Sequence, residues 1–206
     1  MQQRIRIMLE MQDAMNTRVH PDWRTQGFEW YRAIWVECAE LLDHYGWKWW
    51  KKQDPDVEQI KLELVDIWHF GLSHLLLSNE GQTGLVEYLA AVLPAAACGK
   101  DFRVDLEVFA LDTLSSHGFD TEKFAVLLAD AELDFDELYE RYVGKNVLNF
   151  FRQDHGYQDG SYSKIWGGRE DNEHLVELVA ELNSTAQHFQ DDIYTALAER
   201  YRALVG

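Results

Sequence analysis

The stretch that decides the fold is residues 57–78, VEQIKLELVDIWHFGLSHLLLS. It contains no proline, and its apolar residues recur with helical spacing, so residues 62–77 are apolar on nearly every side. A helix of this kind is usually buried, which indicates that it lies among other helices. Its two acids, Glu63 and Asp66, are therefore expected to be at least partly buried as well.

Helical patterns continue on both sides of this stretch, and no part of the chain shows the period-two alternation of a strand. We therefore predict an all-α, multi-helix bundle with few or no strands, folded as a single domain over residues 1–206. Pro55 suits the first turn of the decisive helix. A long glycine-rich loop, residues 154–171, is of a kind that is often functional. The expected helices span residues 4–16, 27–44, 55–78, 85–97, 101–117, 121–142 and 145–153, with one or two more from residue 172 onward.

The composition limits the partners of the protein. The formal net charge is -17, from 36 acids and 19 bases, and a field of that sign repels DNA, RNA and anionic membranes. An anionic substrate would need a bound cation or a local basic patch. No apolar run approaches the ~18 residues of a membrane span. Two isolated cysteines, Cys38 and Cys98, give no disulfide framework, which favours a reducing cytoplasm.

Acidic residues interrupt the apolar faces of two successive helices. Glu37 falls in an apolar stripe with Glu40 one turn further on, and Glu63 and Asp66 repeat this spacing. Because a buried carboxylate costs several kcal/mol unless it is paired, four neighbouring acids indicate a divalent cation. Oxygen ligands suit Mg²⁺, whereas zinc would favour cysteine or histidine clusters. The competing interpretation is two solvated helix faces, which is what most such patterns are.

Basic residues near the glycine-rich loop form a second candidate site. Lys145, Asn149 and Arg152 share one helical face, and Lys164 follows in the loop. Lysine and arginine together suit a polyphosphate, and an asparagine amide suits the edge of a base. Surface salt bridges to the excess acids would produce the same spacing.

Lysines and tryptophans alternate in the turn GWKWWKK, residues 46–52. Nucleic-acid binding is one interpretation, but the patch is short and the chain is acidic. A turn that Trp47 or Trp50 pins to the core is the simpler interpretation. Periodicity alone places His69 and Phe70 in the core, with His69 bonded to a carbonyl or an acid.

Three runs together resemble the dimeric dUTPases, which belong to the all-α nucleotide pyrophosphatase superfamily with MazG and the phage dCTPase/dUTPases. These runs are WVECAELLDHYGWKWWK at 35–51, IKLELVDIWHF at 60–70 and KNVLNFFRQDHGYQDGSYSKIWGGREDN at 145–172. The resemblance extends from the first helix to residue 172 and is weaker between residues 80 and 140. Two ExxE-like motifs alone would indicate only the superfamily.

The resemblance implies roles for particular residues. Two or three Mg²⁺ ions would be bound by Glu37, Glu40, Glu63 and Asp66. Phosphates would be held by Lys145, Arg152, Lys164 and Lys51. The nucleoside would be contacted by Gln12, Asn16, Phe70, Asn149, Trp49 and Tyr157. The turn with Trp49 and Lys51 would lie at the active site, and the resemblance suggests that it would reach that site from the partner subunit.

The resemblance also implies an activity, the Mg²⁺-dependent hydrolysis of dUTP and dUDP to dUMP with release of pyrophosphate or phosphate. A metal-activated water would attack, with Glu40 and Glu37 as the catalytic acids and Glu40 orienting or deprotonating the water. The protein would be a cytoplasmic homodimer. One alternative is a dCTP or broader pyrimidine deoxynucleotide hydrolase, because a flipped asparagine amide serves either base. The alternative of another class is a helical binding protein without turnover.

Overall fold

The apolar stretch that begins at Val57 forms the central helix of the molecule. A computed structural model describes residues 1–186 and 188–205, and 68% of the protein is helical. This confirms the prediction of an all-α bundle. The described helices are α1 (Gln2–Val19), α2 (Trp30–Tyr45), α3 (Val57–Ser78), α4 (Leu85–Val92), α5 (Phe102–Ser116), α6 (Thr121–Asp130), α7 (Phe135–Asp154), α8 (Asp171–Glu181) and α9 (Phe189–Leu204), with a 3₁₀ turn at Trp23–Thr25.

The expected glycine-rich loop contains the one sheet in the described part of the chain. Strands β1 (Ile165–Trp166) and β2 (Arg169–Glu170) pair antiparallel, with Ile165 opposite Glu170. The hairpin leads directly into α8, whose first turn is closed by a capping box between Glu170 and Glu173. The loop is therefore ordered, and it delivers Asp171 to the interior at the start of α8.

Helix α3 is buried on most of its surface. Trp68 is fully buried and stacks on Phe124 of α6, with 5.4 Å between the ring centroids. Gly71 allows Phe119 to pack directly on the helix, since a Cβ at this position would lie 2.6 Å from the Phe119 ring. Helix α2 makes the most extensive contact with α3, and α1 and α7 cover other parts of it. These four helices surround the acidic residues singled out above.

One predicted helix boundary is wrong. The segment expected as a single helix over residues 121–142 is broken after Asp130, and α7 begins at Phe135. Glu132 adopts a left-handed conformation with φ of 51°, and Asp134 caps α7 by accepting a hydrogen bond from the backbone N–H of Glu137 at 2.9 Å. The aspartate cap therefore decides the boundary in a segment that has neither proline nor glycine.

The break expected between residues 142 and 145 is also wrong, because α7 is continuous to Asp154. Gly144 lies inside α7, where a Cβ would come within 3.0 Å of the Val179 side chain. Glycine here permits the close approach of α8 rather than ending a helix.

Smaller differences concern helix ends. Helix α1 continues to Val19, α2 starts at Trp30, and α4 ends at Val92. Pro55 lies before α3 and not in its first turn, because Asp56 is the N-cap and accepts a hydrogen bond from the Gln59 N–H.

Candidate metal centre and nucleotide cavity

Three of the four predicted metal ligands come together between α2 and α3. Carboxylate oxygens of Glu37, Glu63 and Asp66 lie within 4.8 Å of one another. Glu63 is buried, and Glu37 and Asp66 are half-buried. The interpretation of these motifs as solvated helix faces is therefore wrong for these three residues. In the part of the chain that the structure describes, this is the one group of three or more such residues close enough to share an ion.

The three carboxyl groups strongly affect each other's protonation. The pKa of Glu37 is raised to about 8, first by burial, then by the charge of Asp66 and by a hydrogen bond that the protonated Glu37 donates to Glu63. Burial also raises the pKa of Glu63 to about 7, although its hydrogen bond with Glu37 opposes this. A hard divalent cation would favour the ionised form of these carboxyl groups, because its two positive charges would offset most of the three negative charges.

Glu40 stands apart from this group. Its side chain is exposed, and it is not one of the three residues that lie within ligand distance of one another. Its charge nevertheless contributes to the raised pKa values of Glu37 and Glu63, so it lies near them. Its role as a metal ligand or a catalytic acid stays a prediction.

Lys145 joins the acidic group to the predicted basic face. Its ammonium group is buried and donates to Oδ2 of Asp66 at 2.7 Å and to Oδ1 of Asn172 at 3.3 Å. The alternative of surface salt bridging is wrong here, because this ion pair lies in the interior. The lysine is placed beside the cluster, where a phosphate bound to a metal would need a cation.

Arg152 is held by an acid that the sequence analysis did not single out. Its guanidinium donates two parallel hydrogen bonds to Asp171, each of 2.8 Å, and both side chains are buried. Burial alone would raise the pKa of Asp171, but the hydrogen bonds and charge of Arg152 outweigh it and lower the pKa. The hydroxyl of Tyr162 also donates to Asp171 at 2.8 Å. Two cations lie over the Tyr157 ring, with Cζ of Arg152 5.9 Å and Nζ of Lys164 5.4 Å from its centroid.

A cavity of about 290 Å³ opens beside the carboxylates, and Asp66 lines it as well. Most of the residues expected to contact a nucleoside line this cavity, namely Gln12, Asn16, Phe70, Asn149 and Tyr157. The ring of Trp30 stacks on Phe70 at 6.5 Å, so one wall is aromatic. The carboxylate group and the cavity therefore share one residue, Asp66.

The inner end of the cavity is a buried polar network. The Nε2 atom of Gln12 donates to Asn16 and to Ser73, each at 3.0 Å. Nδ1 of His69 lies 2.8 Å from Oε1 of Gln12, and since that oxygen only accepts, the His69 proton is on Nδ1. Burial lowers the pKa of His69 to about 3, so the ring is neutral. The expectation of a histidine bonded to a carbonyl is confirmed.

Comparison with models of known protein families shows which family the chain belongs to. A family model described as dUTPase matches residues 4–157. The chain belongs to the dimeric, all-α dUTPase family. Membership in the dUTPase family supports a dUTP diphosphatase activity, and dUTPases of this family are generally metal-dependent. A comparison with curated proteins finds no match.

The part of the site that follows the matched segment comes from the loop before the hairpin and from the start of α8. Lys164, Asp171 and Asn172 all lie after residue 157, yet they contact or flank residues within the match. The sequence analysis did not single out Tyr162, Asp171 or Asn172. It also did not predict that His69 and Trp30 line the cavity. The sequence contained one indication of Asp171 and Asn172, because both lie at the end of the third run that resembles the dUTPases.

Within one chain, Trp49 and Lys51 of the tryptophan turn do not line the cavity. Trp49 is 90% exposed, and Lys51 is exposed as well. Their assignment to the site stays a prediction. The idea that Trp47 or Trp50 pins the turn to the core is wrong, because both are exposed and pack edge-to-face on each other at 5.2 Å.

None of the helices that the structure describes combines the length and apolar character needed to cross a bilayer.

Proposed function

We propose that this dUTPase-family protein hydrolyses dUTP, and also dUDP, to dUMP with release of pyrophosphate or phosphate. The observation that carries the proposal is the position of Asp66, which belongs to the carboxylate group and also lines the cavity. A nucleotide with its base in the cavity would extend its phosphates toward the carboxylates, where a cation can meet them. The family assignment supports the same substrate class.

We propose Mg²⁺, two or three ions per site, as the cofactor. Glu37, Glu63 and Asp66 would hold it, with Glu40 completing the set from the exposed side. The donor atoms are all carboxylate oxygens, which suit Mg²⁺ better than a softer metal. When bound, the ions would neutralise the phosphate oxygens and lower the pKa of a water molecule.

The residues of the chain would then divide the remaining tasks. Glu40 is exposed to solvent and close to Glu37, so it is placed to orient an incoming water or accept its proton. Lys145, which pairs with Asp66, and Lys164, which lies over the Tyr157 ring, would supply positive charge for the phosphates. The cavity walls would exclude water from the base.

Two residues that line the cavity each carry a buried polar atom without a partner, and we propose that a pyrimidine base is the occupant. Nε2 of His69 is a buried acceptor, and Nε1 of Trp30 is a buried donor, and neither has a partner among the described residues. A uracil ring carries an N–H donor flanked by carbonyl acceptors and could satisfy both atoms. We propose that Phe70 packs against the base.

We also propose that the protein is a homodimer in the cytoplasm. Helices α2 and α5 pack together and expose large apolar side chains: Trp35, Val104, Val108 and Leu111. A second copy would cover such a face. In that dimer, Trp49 and Lys51 would reach the site of the partner subunit. Both cysteines of the chain are free, in keeping with a reducing compartment.

The test is turnover of purified protein with the four standard deoxynucleotides, dUTP and dUDP, with MgCl2 and with excess chelator. The proposal expects release of pyrophosphate and dUMP from dUTP only when Mg²⁺ is present. A dCTP rate equal to or above the dUTP rate would assign the protein to broader pyrimidine hydrolysis. No phosphate release from any nucleotide would favour the helical binding protein.

A further inference from the structure

The Arg152 side chain has little hydrogen-bonding capacity left for a ligand. Nε–H and one Nη2–H donate to the two oxygens of Asp171, and Nη1 donates to Oδ1 of Asn149 at 3.2 Å. Nη2 also approaches Oδ1 of Asn172 at 3.5 Å. One Nη1–H remains among the five donors of the guanidinium. Asp171 is 1% exposed, so the arginine charge is offset by a fixed, buried carboxylate.

This arrangement fixes the orientation of the Asn149 amide. A guanidinium has no acceptor, so only the oxygen of the amide can face it. The NH2 group of Asn149 therefore points away from Arg152, and it has no protein acceptor in the described ranges 1–186 and 188–205. Asn149 lines the cavity, so the group left to meet a bound base is a hydrogen-bond donor.

We propose that Asp171 is a positioning residue that sets the choice between uracil and cytosine, by holding Arg152 so that Asn149 can present only its NH2 group to position 4 of the base. The inference rests on the proposed function, since it assumes a pyrimidine in the cavity. Uracil carries a carbonyl oxygen at C4, which accepts from the amide. Cytosine carries an amino group there, so two donors would face each other and the base would lose a hydrogen bond.

The chain of contacts explains why the acid must be rigid. Tyr162 donates to Oδ2 of Asp171, and the backbone N–H of Asp171 donates to the carbonyl of Lys164 at 2.9 Å. Tyr162 and Lys164 both belong to the loop just before the hairpin. An asparagine at 171 would offer one acceptor and one NH2 group to a guanidinium that needs two acceptors. Arg152 would then be free to turn, and the Asn149 amide could flip.

The test compares kcat/KM for dUTP with kcat/KM for dCTP in the full-length protein and in Asp171→Asn. We expect the dUTP/dCTP ratio to fall about tenfold or more, since one discriminating hydrogen bond is lost. The matched control is Glu177→Gln, which removes another acid of α8 that pairs with two arginines, Arg169 and Arg200, at the surface. It should leave the ratio unchanged. Asp171→Glu, which restores two acceptors, should recover part of the ratio.

A second variant covers the case in which Asp171→Asn does not fold. Asn149→Asp replaces the amide by a carboxylate that pairs with Arg152 and offers only acceptors to the base. We expect its dUTP/dCTP ratio to fall below that of the wild type, because the cytosine amino group now finds an acceptor. An unchanged ratio in a folded Asp171→Asn protein, or in Asn149→Asp, would overturn the inference.

Equilibrium binding separates this inference from the proposed function. Calorimetry with dUMP and dCMP measures base choice without turnover. If the wild type hydrolyses neither nucleotide but binds dUMP more tightly than dCMP, and Asp171→Asn loses this difference, the function fails and the positioning role stands. If the wild type prefers dUTP and both variants retain that preference, the positioning role fails and the function stands.

Discussion

The Nζ atom of Lys145 lies 2.7 Å from Oδ2 of Asp66, and this buried contact connects α7 to the carboxylate group on α2 and α3. The ammonium group balances one of the three carboxylates in the absence of metal. Its charge also opposes the rise in the pKa of Glu63, which favours the ionised form that a cation needs. The lysine therefore competes with a metal ion for Asp66. At the same time its charge favours the ionised form of Glu63, which is the form that binds a metal ion.

The first prediction concerns this lysine. Lys145→Met should lower the free energy of unfolding without metal by about 1–3 kcal/mol, because Asp66 loses its counter-charge. Saturating MgCl2 should restore more stability to the variant than to the wild type, measured by urea unfolding. Lys61→Met is the control. The Lys61 side chain is also largely buried, but its Nζ atom pairs with Glu137, at 2.8 Å, and not with a residue of the carboxylate group. An equal Mg²⁺ effect in both variants would contradict the prediction.

A second prediction separates metal binding from folding. Glu63→Gln should reduce dUTP hydrolysis more than about 100-fold, because a ligand in the carboxylate group is lost. Its melting temperature without Mg²⁺ should not fall, since a buried acid is replaced by a neutral side chain of the same shape. Glu58→Gln, at an exposed acid in the first turn of the same helix, should keep full activity. Activity and melting curves on one preparation check both statements.

The third prediction is a pH dependence of stability. The pKa of Glu37 rises from 4.5 to about 8 on folding, through burial first and then through neighbouring carboxylates. Between these values the folded state keeps a proton that the unfolded state has released, so metal-free stability should fall as the pH rises. Mg²⁺ binds the ionised form, so its stabilising effect should grow over the same range. Melting temperatures from pH 5 to pH 8, with and without MgCl2, measure both trends.

Glu37→Gln provides the comparison for that pH series. The variant lacks the titrating group, so its metal-free melting temperature should fall less steeply than that of the wild type between these pH values. Parallel curves for the two proteins would show that Glu37 does not carry the effect.

The fourth prediction tests whether the tryptophan turn serves the partner subunit. Trp49→Ala and Glu63→Gln should each inactivate the homodimer. A mixed dimer of the two variants would contain one site with intact carboxylates and an intact turn from the other chain, so about half of the wild-type activity should return. If the turn serves its own chain, neither site is intact and no activity returns. Mixed dimers isolated through two different affinity tags give the measurement.

Much of the fold was predictable because it depends on local signals. The apolar stretch at 57–78 and the absence of period-two alternation were enough to predict a helical bundle. The boundary at Asp134 was missed, although Asp134 and Glu137 have the spacing of a capping box. The break expected between residues 142 and 145 is absent, because Gly144 lies inside α7 and admits α8, and a contact between distant segments leaves no local pattern.

The site was predictable where the residue types are unusual for their surroundings. Acids in an apolar helix pointed to Glu37, Glu63 and Asp66, and these meet. Partners that act through another residue were not predictable, because the role of Asp171 depends on its approach to Arg152 across 19 positions of sequence. Periodicity assigned His69 to the core, and only the geometry shows that it also faces the cavity.

The pairing of Arg152 with Asp171 also restricts how this chain can be recombined with its relatives. The two residues come from different sides of the end of the family match, and each is a buried charge without the other. A chimaera with a crossover between them would inherit a compatible pair only if both parents carry the same two residues. A substitution at either position should therefore be accompanied by a substitution at the other. Crossovers before residue 152 or after residue 171 keep the pair together and should be tolerated best.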